Sequence, residues 1–136
     1  MSDLEGSDIL GALMTADAAL LAAVPLAQMK AGRLPDGTPL PAILARTVSS
    51  VDRQPLTRGA LVRRTDRVAV TVRARSHRER KIIIGLLRTC CAGRTGNLGG
   101  GLNVSILTAG MGPDLNGPAD SFEKTQDFKV SFDASN

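Results

Sequence analysis

The chain has 136 residues, a net charge of +4, no Trp, no Tyr and only three Phe. That length suits one domain whose core buries roughly two thirds of the unfolded surface without staples, and that core has to be aliphatic. The missing aromatic faces argue against a pocket that reads sugars or bases by stacking.

The start, MSDLEGSD, is acidic and polar and does not read as a signal peptide. Ser2 or Asp3 is placed to cap a first helix, whose apolar stripe is Leu4, Ile9, Leu10, Leu13 and Met14. Thr15-Ala16-Asp17 reads as a break and a fresh cap. Ala18 to Val24 follows as a short second helix, stopped by Pro25. The apolar run Ala18–Ala27 is too short to span a bilayer.

Gln28 to Arg33 is predicted as a short strand. Leu34 to Pro39 is a turn by its chemistry: Pro presets φ, Asp bonds its own backbone and Gly takes positive φ. Ala42 to Val51 alternates as a strand, and Asp52 to Gly59 as a loop. Arg63 and Arg64 stand just before the strongest stretch of the chain.

That stretch is Arg67–Cys91. Val68, Val70, Val72 and Ala74 alternate with Arg67, Thr71, Arg73 and Arg75, which gives a strand with one apolar and one largely basic face. Ser76 then precedes Glu79 by three residues, the spacing of a capping box, in which serine and glutamate each take a free backbone N–H at a helix start. The predicted helix runs from His77 to about Ala92, with Ile83, Leu86, Leu87 and Cys90 on one face and Gly93 as a left-handed stop.

Gly93 to Gly101 carries the glycines of a phosphate loop but follows a helix, lacks the lysine and precedes a strand, so it is predicted as a flexible connector. Leu102 to Thr108 is predicted as a strand, Gly110 to Ser121 as a long contact loop and Phe122 to Phe132 as a closing strand. The expected architecture is α+β: one domain over residues 1–136, with a largely antiparallel sheet of about four to five strands, two main helices packed on one face, and flexible loops at 93–101 and 110–121.

No enzyme pattern emerges. His77, the single histidine, has no nucleophile or orienting acid in a recognisable pattern. Cys90 and Cys91 are adjacent, too close in sequence for ordinary disulfide geometry, and no further Cys or His completes a zinc site. No catalytic, cofactor-binding or metal-binding residue is assigned, and no cofactor is expected. Charge is the remaining signal. Basic residues crowd Arg46–Arg94, while both flanks carry an acidic excess. This fits neutralisation within the molecule and a solvated face. It also fits complementary charge between copies or a phosphate-facing surface, and arginine outnumbers lysine, as it does where charge is shared across interfaces. Arg63, Arg64, Arg67, Arg73, Arg75 and Arg78 are the candidates for a surface that meets a subunit, another protein or DNA.

The Asp-Ala-Ala-Leu break at Asp17–Leu20, the segment GRLPDGTPLPAI at Gly32–Ile43 and the V-x-V-x-V-x-A strand at Val68–Ala74 running into SHRER at Ser76–Arg80 together look familiar. Over Leu10–Cys91 the chain resembles the tail-terminator, or tail-completion, proteins of long non-contractile-tailed bacteriophages and phage-like particles. The resemblance implies a non-enzymatic virion subunit, assembled in the host cytoplasm. Copies would form a ring, expected to be a hexamer, at the head-proximal end of the tail tube. The implied partners are further copies, the major tail tube protein, a neck or head-completion protein and genomic DNA passing non-specifically through the lumen, with no membrane. A basic nucleic-acid-binding module is the alternative, supported by the arginine density but lacking aromatics and any known motif.

Overall fold

The central strand of the sheet is the one the alternation predicts, and it is longer. In the computed structural model, which describes residues 4–35, 37–117 and 120–135, β3 spans Leu61–Ala74. Val68, Val70, Val72 and Ala74 lie in the core. On one side β3 pairs antiparallel with β2 (Ala42–Arg53), with a bulge between Thr47 and Ser49. On the other it pairs antiparallel with β7 (Phe122–Ser135) along its whole length, from Leu61 opposite Ser135 to Ala74 opposite Phe122. Phe128, Val130 and Phe132 of β7 are buried beside the β3 valines. Burying side chains of this size contributes about 1.5–3 kcal/mol each.

The sheet then extends outward in both directions. β1 (Met29–Ala31) runs parallel to β2 over Ile43–Ala45. β5 (Gly101–Met111) pairs antiparallel with β7, and β4 (Thr95–Leu98) with β5. β6 (Leu115–Asn116) pairs with the first two residues of β7. The sheet is therefore seven-stranded and mixed, ordered β1-β2-β3-β7-β5-β4 with β6 on β7.

Three helices pack on the valine face. α1 (Gly6–Thr15) buries Ile9, Leu10, Leu13 and Met14, and α2 (Ala18–Ala23) buries Leu20. α3 (His77–Cys91) buries Ile83, Ile84, Leu87, Cys90 and Cys91. The Ser2 or Asp3 cap lies outside the described residues. Glu5 takes the N-cap position of α1, where its backbone N–H donates to Asp8 at 2.9 Å. Asp17 caps α2 by accepting from the Leu20 N–H at 2.9 Å. Ser76 caps α3 by accepting from the Glu79 N–H at 3.1 Å. The return half of that box lands one residue early: Glu79 accepts from the Arg75 N–H at 2.9 Å, not from Ser76.

The expected architecture of four to five strands and two helices is thus corrected. Strand makes up 47% of the described residues, in seven strands, with three α-helices among those residues. Two strands beyond the expected five, β4 and β6, account for the difference in strand number. Residues 93–101, expected as a flexible connector, contain β4. Gly99 and Gly100 both have positive φ, +57° and +86°, and close a two-residue turn that pairs Leu98 with Gly101. β1 falls within the strand expected at Gln28–Arg33, but it pairs parallel with β2 and so makes the sheet mixed. The long loop expected at 110–121 is shorter than its composition suggested, because β5 runs on to Met111 and β6 forms at Leu115–Asn116; Pro118 and Ala119 lie outside the described residues.

Candidate assembly surface

The helices cover one face of the sheet. The other is polar and carries three of the six predicted arginines, Arg63, Arg67 and Arg73. Its rows run across the strands in register: Val51, Thr65 and Ser131 in one, Ser49, Arg67 and Lys129 in the next, and Leu44, Thr71 and Thr125 further along. Hydroxyl pairs link neighbouring strands, Thr65 to Ser131 at 2.8 Å and Thr71 to Thr125 at 2.9 Å.

The six candidate arginines do not form one free basic patch. Arg63 reaches Asp133 at 3.2 Å and donates to the Asn103 carbonyl at 2.6 Å. Arg64 meets Asp52 at 2.6 Å, on the opposite side of the sheet from Arg63 and Arg67. Arg67 meets Asp127 at 2.8 Å and donates to the Ala109 carbonyl at 3.1 Å. Arg73 pairs with Glu123 at 2.5 Å, and Arg75 with Glu79 at 2.6 Å. Arg78 is exposed on α3 and has no ion pair among the described residues. Five of the six are held by acids that come from β2, β7 or α3 of the same chain. Alternation along β3 alone could not reveal this, since four of the five acids lie on other strands.

These pairs set the local titration. A hydrogen bond from Arg64 holds the Asp52 carboxyl below its ordinary value, and Arg75 does the same for Glu79. For Asp133 the hydrogen bond from Asn103 is the larger cause and the Arg63 pair the second. Besides Arg78, other exposed cations are left without an acid among the described residues. Arg46, Arg53, Arg58 and Lys129 are exposed and have no ion pair among the described residues.

The sheet also ends in two open edges. β1 covers β2 only as far as Ala45, so residues 46–53 pair with β3 on one side and with no strand on the other among the described residues. β4 stops opposite Ser105, and the Gly93–Ile106 and Ile106–Arg94 backbone bonds extend that cover by one residue. Residues 107–111 of β5 then have no strand beyond them among the described residues. Val48 and Val51 are exposed on the first edge, Leu107 and Met111 on the second. A strand edge with free N–H and C=O groups and apolar side chains is a template for another strand. Sequence patterning missed these edges because they depend on where neighbouring strands stop.

The same fold occurs in a gene transfer agent. A chain from a solved virion of the native gene transfer agent particle superimposes with a TM-score of 0.70. The match covers 94% of this chain and 94% of that one, at 18% sequence identity. No protein-family model matches the sequence, and no curated protein does.

The remaining chemistry is sparse. Cys90 and Cys91 are buried free thiols; the hydrogen bond to Cys90 and burial push the Cys91 thiol well above its ordinary value. His77 is exposed, with Nδ1 at 2.6 Å from Arg80. Among the described residues no three His, Cys, Asp or Glu side chains are grouped to hold a metal, and no helix is long and apolar enough to cross a membrane.

Proposed function

We propose that this chain is a structural virion subunit whose copies close into a ring, capping the head-proximal end of a phage-like tail tube and joining it to the neck. The observation that carries this reading is the fold shared with a gene transfer agent virion chain across 94% of both chains. The open edges support ring closure. They lie on opposite sides of one sheet and differ in sequence, so β2 of one copy meeting β5 of the next is a heterologous contact, which propagates and closes when the rotation allows. On this reading the ring is a hexamer, its flat sides meet the major tail tube protein and a neck protein, and DNA passes through the lumen.

Native mass measurement of the purified protein tests it. The expected species is six chains, and Val51→Asp with Leu107→Asp is expected to release monomers that keep their fold. A wild-type monomer that binds duplex DNA tightly, with affinity falling steeply as salt rises, overturns the ring reading in favour of a basic nucleic-acid-binding module.

A further inference from the structure

Arg80 is the most enclosed cation among the described residues, only 3% exposed, near the start of α3. Its guanidinium lies over the Phe122 ring at 5.6 Å and donates to the carbonyls of Leu115 and Glu123. It also reaches Asp114 at 3.3 Å. The same Asp114 oxygen accepts from Lys124 at 2.9 Å. One carboxylate, on the segment between β5 and β6, thus sits between two cations.

Beside it lies a cavity of about 280 Å³ lined by His77, Lys81, Ile84, Met111 and Lys124. Three of these five side chains are basic and none is acidic. Lys81 is exposed and has no ion pair among the described residues. Ile84 and Met111 supply an apolar floor. Asp114, which does not itself line the cavity, pairs with Lys124 and leaves Lys81 unmatched. The site therefore already takes a carboxylate from its own chain and has cationic capacity for another.

We infer that this cavity is a docking site for a protein segment that presents a carboxylate next to an aliphatic side chain. The carboxylate meets Lys81 and Lys124, and the aliphatic group covers Ile84 and Met111. The apolar floor favours a peptide over the sugar-phosphate backbone of DNA, which presents no aliphatic group to it. Asp114 then acts as an internal competitor, since it engages Lys124 in the unbound protein. The site is independent of the two sheet edges that ring closure uses, apart from Met111 at the end of β5.

The test is a titration of the full chain followed by the methyl signals of Ile84 and Met111. The probe is a blocked peptide with one glutamate flanked by leucines. Its glutamine counterpart, sodium phosphate and a short DNA duplex form the other arms. The glutamate peptide is expected to shift both methyls saturably, and the glutamine peptide to bind at least tenfold more weakly. Lys81→Glu is expected to weaken the glutamate peptide at least tenfold, and Asp114→Asn to tighten it severalfold by freeing Lys124. Both positions are solvent-accessible, and backbone spectra verify that each variant is folded. Equal binding of the two peptides overturns the proposal, as does the lack of a saturable shift, a weaker affinity in Asp114→Asn, or phosphate or DNA binding as tightly as the peptide.

Discussion

The Arg67 guanidinium meets the Asp127 carboxylate at 2.8 Å, yet the residue directly opposite Arg67 on β7 is Lys129. One acid serves a position that two cations share, and like charges facing each other across strands are unfavourable. Lys129→Glu removes that repulsion and offers Arg67 a second acid. The expected gain is about 0.5 kcal/mol in low salt, small because Arg67 is partly exposed, and it shrinks in 1 M salt. Urea unfolding at the two salt concentrations measures it; a loss of stability in low salt contradicts the pairing described.

Gly99 turns the β4–β5 hairpin against α1. A Cβ there would stand 2.7 Å from the Ile9 carbonyl oxygen and 3.0 Å from its Cα, at a φ of +57°. Gly99→Ala therefore combines left-handed strain with a clash against helix backbone. A loss of at least about 2 kcal/mol is expected. Gly100→Ala has the same sign of φ but open space around it, so its cost is expected to be smaller. Thermal unfolding of the two variants gives the comparison.

Ser76→Ala deletes the acceptor for the Glu79 N–H at the start of α3. Such caps contribute about 1 kcal/mol. Ser76→Asp is expected to retain most of the stability, because aspartate accepts the same bond. Denaturant midpoints of the three proteins decide this.

Acid sensitivity follows from the paired carboxylates. Asp52, Glu79 and Asp133 titrate in the folded protein below their ordinary values of 3.8, 4.5 and 3.8. The unfolded chain therefore binds protons first as pH falls. The stability these groups contribute is fully present above their unfolded values and is lost as pH drops through the folded ones. They add no slope above about pH 5.5, and the unfolding midpoint in urea is expected to fall below about pH 4.5. Asp52→Asn with Asp133→Asn is expected to flatten that fall.

Much of this fold is legible in the chain because single elements obey local rules. The alternation at Val68–Ala74, the Ser76 cap and the positive φ of Gly93, +75°, are where periodicity and turn chemistry put them. β4 escaped because Thr95-Gly-Asn-Leu has little strand character of its own. Its partner β5 and the Gly99–Gly100 turn make it a strand, and the Gly-Gly pair before Gly101 was the available hint. The basic surface was read from one strand, which gives the side each arginine takes but not the acid opposite. Arg63, Arg67 and Arg73 find theirs on β7, 50 to 70 residues later in the chain. The unpaired Arg46, Arg53 and Lys129, which remain available to a partner, stand out only once those bonds are counted.

β7 follows every other strand in the chain and yet lies between β3 and β5. Without it, the hairpins β2–β3 and β4–β5 share no strand pairing and meet only through side-chain bonds such as Arg63 to the Asn103 carbonyl and Arg67 to the Ala109 carbonyl. Closing the gap brings Leu61 to Ser135, and such distant contacts form late and slowly. The step that completes the sheet is thus a zipping of one strand into a two-sided slot. Before it, both walls of the slot are exposed to other unfinished chains, which makes this interval the moment of greatest exposure to misassembly.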